Sequence, residues 1–182
     1  MFPARLEVVV RLAAVCAQLA WLGSPVAVRA SGPLPATRAD GMTVDVSTIA
    51  DGAVAAAVER AARGARRRLA DAECLGVLDD FRDANQRPLR EVANATLASP
   101  DAVLTRAIFR DGRDATICRT GTAAFTGPGS RVVFVCGARF AGLDRTAAEL
   151  VMIHEMLHTL GLGERPPTSR EIDRQVARRC GP

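Results

Sequence analysis

Tyrosine and lysine are both missing from this chain of 182 residues, and histidine occurs only twice. All 24 basic residues are therefore arginine. Aromatic residues contribute only 4%, so the core must rest on small and aliphatic side chains. Without lysine, the glycine-rich stretch Thr126 to Ser130 cannot be a phosphate loop, and it is also too short for one. It reads as a hairpin connection instead. No C-x-x-C pair occurs, which argues against a structural zinc site built on cysteine. There are no internal repeats and no sign of a second domain. The net charge is a mild +4, and the arginines do not alternate with aromatics. That pattern speaks against a nucleic-acid partner.

The N-terminus has the pattern of a secretory signal. Arg5 and Arg11 precede an apolar stretch from Leu12 to Leu22, broken only by Gln18. Gly23 and Pro25 end it, and Val28-Arg29-Ala30 resembles a cleavage site. The stretch is short for a membrane anchor, and no later segment could cross a bilayer. Residues 1–30 are expected to be a signal peptide, 31–50 a flexible mature N-terminus and 51–182 a single domain. The expected product is secreted or periplasmic, and monomeric. Loss of the leader removes Cys16, three arginines and one glutamate, leaving a charge of about +2. Cys74, Cys118, Cys136 and Cys180 remain, an even set that suggests two disulfides in an exported protein. Of the three possible pairings, Cys118–Cys136 and Cys74–Cys180 are favoured. The first would tie neighbouring strands, and the second would pin the C-terminal helix to the body.

Hydrophobic spacing organises the rest. Val54, Val58, Ala61, Ala65 and Leu69 recur at helical intervals, predicting a helix from about Gly52 to Ala72. Arg60, Arg63, Arg67 and Arg68 fall largely off that stripe and read as a solvated face rather than as a docking surface for an acidic partner. Leu78 to Pro88 is polar and reads as a loop. Leu89 to Leu97 reads as a short helix, and Ser99-Pro100-Asp101 as the start of another. Strands are expected over Ala107 to Arg110, Ala115 to Cys118 and Arg131 to Cys136, the last buried on both faces. Two capping boxes, Thr146–Glu149 and Thr168–Glu171, open the final two helices. Gly161 ends the first of them. The fold class predicted is α+β.

Both histidines lie in one motif, His154-Glu155-Met156-Leu157-His158. On a helix, residues four apart share a face, so two imidazoles can hold one metal ion. Glu155 can then act as general base toward an activated water. Catalytic zinc prefers three protein ligands, and no third histidine exists. Glu164 is the best candidate, because Gly161 and Gly163 let the chain bend back.

The resulting pattern H-E-x-x-H-x-x-G-x-x-E resembles the zincin metallopeptidases, and most closely the metzincins. The resemblance implies zinc as cofactor, with His154, His158 and Glu164 as ligands and Glu155 as catalytic base. It implies a peptide or protein substrate, and a small sheet packed against the motif helix with a C-terminal helix beside it. It also implies that the strand before the helix, Arg131 to Cys136, lines the cleft and pairs with extended substrate. The chain departs from the metzincins in three respects. Glu stands where they carry His or Asp, no Met follows Met156 to make a Met-turn, and no tyrosine can stabilise an oxyanion. Arg139, Arg165 or the zinc alone are left for that last role. Asp144, Asp173 and Glu171 are all candidates to orient the histidines. Two other readings stand beside the peptidase: a non-catalytic zinc-binding or interaction domain, and a zinc amidase acting on a non-protein amide.

Overall fold

In the computed structural model, which describes residues 44–96, 99 and 102–182, Asp51 opens the first helix, α1 (Gly52–Leu69). Its carboxylate accepts the backbone N–H groups of Ala53 and Val54, meeting two of the donors a helix start leaves orphaned. The stripe Val54, Val58, Ala61, Ala65 and Leu69 is buried throughout. The leader reading over residues 1–30, Cys16, and the helix start at Pro100-Asp101 lie outside the described residues. Of the segment 31–50, the described part is tied into the domain. Val44 and Ile49 are buried, and Asp45 bridges in parallel to Ile108.

Short helices follow: α2 (Ala72–Leu75), α3 (Val77–Asp80), α4 (Leu89–Thr96) and α5 (Ala102–Arg106). The polar stretch from Leu78 is therefore not all loop. Val77 and Leu78 are fully buried, and only the part beyond Asp80 is open chain. There Asp83 accepts the N–H groups of Asn85 and Arg87, closing a tight turn.

Three strands come next: β1 (Ile108–Asp111), β2 (Ala124–Thr126) and β3 (Val132–Val135). Their order is β1-β3-β2, with β1 parallel and β2 antiparallel to β3. This is a small mixed sheet within an α+β architecture. Two strand expectations need correction. Ala115 to Cys118 is not a strand: Thr116–Arg119 is a 3-10 turn, held by the Cys118–Cys136 disulfide to the residue that follows β3. That bond therefore ties a turn to a strand end, not two neighbouring strands. Nor is β3 buried on both faces. Val133 and Val135 point inward, whereas Phe134 is exposed and stacks on its cross-strand neighbour Phe125.

Helix α6 (Gly137–Ala141) leads to the long helix α7 (Arg145–Thr159), which packs against α1, α5, β2 and α8 (Ser169–Cys180). Asp144 caps α7 by accepting the Ala147 N–H at 2.8 Å. The expected capping box at Thr146–Glu149 does not form, because Asp144 already fills the cap position two residues earlier. Glu149 turns inward instead and joins Arg68 at 2.7 Å and Arg145 at 2.9 Å. Burial works to raise the pKa of this carboxyl, but the bonds from Arg145 and Arg68 together outweigh it and hold it below the usual carboxylate range. A Cβ on Gly64 would sit 2.0 Å from the Glu149 carboxylate, so α1 and α7 can meet this closely only through glycine. At α8 the Thr168–Glu171 capping box is present.

Cys74 is bonded to Cys180, the last residue of α8, with Cα atoms 4.4 Å apart. The bond closes a loop spanning 106 positions. Chain entropy predicts that replacing both cysteines with alanine will lower stability by about 2–5 kcal/mol, read as a lower urea midpoint. Two disulfides are consistent with an oxidising, extracellular compartment. Among the described residues no helix is long and apolar enough to cross a membrane.

Candidate metal centre

The motif helix α7 is buried on more than one side. Met152, Ile153, Met156 and Leu157 fill the core, while His154 and His158 emerge on the remaining face at the floor of a cleft. All of His154, Glu155 and His158 are at most 6% exposed. The helix stops in a Schellman turn. Gly161, at φ +104°, lets its own N–H reach the His158 carbonyl and the Leu162 N–H reach the Leu157 carbonyl. This turn carries Glu164 back over the histidines.

His154, His158 and Glu164 converge as the sequence implied. Their ligand atoms lie within 4.8 Å of one another. The two Nε2 atoms are 3.0 Å apart, and Glu164 Oε1 is 3.1 Å from His158 and 3.7 Å from His154. Ligands at zinc–nitrogen and zinc–oxygen distances around a tetrahedral ion are separated by roughly 3.3 Å, so these spacings bracket the requirement.

The ring hydrogens support the same fit. His158 Nδ1 lies 2.8 Å from the Leu162 carbonyl oxygen, which can only accept. Nδ1 therefore carries the hydrogen and Nε2 the lone pair. His154 Nδ1 likewise donates to Asp173 Oδ1 at 2.7 Å. With both rings neutral, two lone pairs face each other across 3.0 Å with a carboxylate beside them, a donor set that suits a cation. Burial pushes the His158 pKa down, favouring its neutral form. Burial opposes charge on His154 too, but the bond to Asp173 and the neighbouring Glu155 and Glu164 carboxylates outweigh it and raise its pKa.

Glu155 lies beside the three. Its Oε2 is buried with no hydrogen-bond partner among the described residues. Burial first, with Glu164 and Asp173 adding to it against the pull of His154, pushes its pKa up to about 7.

The cleft encloses about 1240 Å³. Its walls include Phe81, Arg82, Ile117, Phe125, Glu164 and Arg165. Arg165 is thus at the site, whereas Arg139 lies over Gly121 and is not part of the cleft wall. Of the three acids considered for orienting the histidines, Asp173 does so. Asp144 is occupied as a helix cap and Glu171 in its capping box.

The strand at the cleft is a correction. Arg131 to Cys136 contributes β3, the middle strand, whose two edges are already bonded to β1 and β2. Of the two edge strands it is β2, Ala124–Thr126, that faces the cleft, and all three of its residues line it. Sequence reading missed it because three residues are too few to show alternation. The signal present was the turn Gly127-Pro128-Gly129, which requires a partner strand on its N-terminal side as well. The turn itself is pinned to the motif helix, the Gly129 N–H reaching the His158 carbonyl at 2.8 Å.

Replacing Asp173 by asparagine is expected to weaken metal affinity by about 10–100-fold while leaving the fold intact, since the side chain is 64% exposed. Competition with a chromophoric chelator measures this directly.

No family model, no curated protein and no solved structure matches this chain.

Proposed function

We propose that this protein is an extracytoplasmic zinc-dependent hydrolase of zincin type, acting on peptide bonds. The observation that carries the reading is the buried, partnerless Glu155 oxygen beside the convergent His154, His158 and Glu164. A site that merely held a metal for stability has no use for a buried acid without a partner, since burying one is costly. A hydrolase needs a base at that point.

When bound there, zinc supplies Lewis-acid polarisation of water and of a substrate carbonyl. Glu155 accepts the proton of the attacking water on its carboxylate and then passes it to the leaving amine. Its raised pKa, about 7, matches a group that must both take and give a proton near neutrality. Asp173 and the Leu162 carbonyl hold the two imidazoles in the ligating tautomer. The edge strand β2 offers unpaired backbone N–H and C=O groups along the cleft, to which an extended peptide can add as a further strand. Arg165, on the cleft wall, is the candidate for stabilising a developing oxyanion.

The test is hydrolysis of a quenched fluorogenic peptide library by zinc-loaded protein. Cleavage that stops on chelation and returns with zinc is the expected result. A zinc-loaded protein that cleaves no peptide in the library would overturn the peptidase reading.

A further inference from the structure

A second concavity, of about 380 Å³, lies between α1 and the start of α7, and it shares no residue with the metal cleft. Arg60, Arg63 and Arg67 of α1 stand on one side of it and Arg145 of α7 on the other. Its remaining wall is apolar, with Phe140, Leu143 and Ala148 among it, and no carboxylate lines it. The nearest acids do not balance these four cations. Arg60 makes no ion pair among the described residues, and Arg63 meets Glu59 only at 3.8 Å. Glu149 is shared among Arg68 at 2.7 Å, Arg145 at 2.9 Å and Arg67 at 4.0 Å. Arg145 uses its Nε for that bond, so its two terminal nitrogens are not spent on Glu149. Spacing along α1 reads as an ordinary solvated face; it is Arg145, arriving from a distant part of the chain, that closes the face into a pocket.

Four guanidiniums around an apolar floor suit a ligand with one compact, multiply charged head and a small apolar body. Arginine prefers phosphate in such settings, because its planar fork engages two oxygens at once. We propose that this pocket binds a phosphomonoester, with the phosphate held by Arg60, Arg63, Arg67 and Arg145 and the organic group on Ala57 and Leu143.

Phenyl phosphate is the probe, titrated calorimetrically into the full chain at low salt, beside inorganic phosphate and phenol. Saturable binding of phenyl phosphate, tighter than either control, is expected, as is a loss of about tenfold or more in affinity for Arg63→Gln combined with Arg145→Gln. Both side chains are partly or largely exposed, at 38% and 78%, so the variant keeps its fold, which its melting curve checks. Flotation with vesicles containing phosphatidic acid separates a lipid headgroup from a free ester as the source. Binding of either that depends on the two arginines supports the site. Binding of neither, or equal binding by the folded double variant, overturns it.

Discussion

Glutamine in place of Glu155 is expected to leave metal content unchanged and to lower peptide hydrolysis by about 10²–10⁴-fold. The substitution keeps the shape of a side chain only 5% exposed and removes its ability to accept a proton. In barrier terms that is about 2.7–5.5 kcal/mol. Glu155 stands outside the group that could hold the ion, which is His154, His158 and Glu164. Metal binding and turnover should therefore separate cleanly in this variant. Stability should hold or rise slightly, since a neutral amide costs less to bury than a carboxylate whose Oε2 has no partner. Zinc analysis, a melting curve and the peptide assay on one preparation check all three expectations. Full activity in the glutamine variant would remove Glu155 from the chemistry.

Alanine at both His154 and His158 is expected to abolish zinc binding, where the unaltered chain takes up about one ion. The remaining ligand, Glu164, has a side chain 46% exposed and cannot hold an ion alone. Glu164→Ala should weaken binding without abolishing it, because the two imidazoles stay fixed by Asp173 and Leu162. Metal that binds only the folded state adds about 4 kcal/mol at a thousandfold excess over its Kd. Zinc should accordingly raise the melting temperature of the unaltered chain and leave that of the double variant where it was. Elemental analysis with paired melting curves measures both. An unaltered chain that takes up no zinc on reconstitution would overturn the metal centre and the hydrolase reading with it.

The parts of this protein that could be read from sequence are those governed by neighbours along the chain. The motif helix, its stop at Gly161 and the return of Glu164 depend on backbone geometry within a few residues, and they stand where the pattern put them. The two favoured cysteine pairings are also those formed. What could not be read depends on residues far apart in sequence. Asp173 was one of three candidates, and only the packing of α8 against α7 singles it out. Ala115 to Cys118 carries a strand-like composition, but it forms a 3-10 turn bonded to the distant Cys136. The apolar run Arg131 to Cys136 suggests burial on both faces, yet Phe134 stays exposed and stacks on Phe125. Glu149 fitted a local capping rule and was claimed by Arg68, which lies 81 positions away.

The Schellman turn after α7 makes the candidate metal centre a short-range object. All three ligands fall between positions 154 and 164, and the Leu162 carbonyl that orients His158 falls inside the same span. Gathering them requires one helix end and one turn, with almost no loop-closure entropy. The groove above is assembled differently, from chain as far apart as Asp80 and Ser169. On the proposed reading, ion capture and substrate capture answer to different parts of the molecule: the first to one helix terminus steadied by Asp173 of α8, the second to the whole domain.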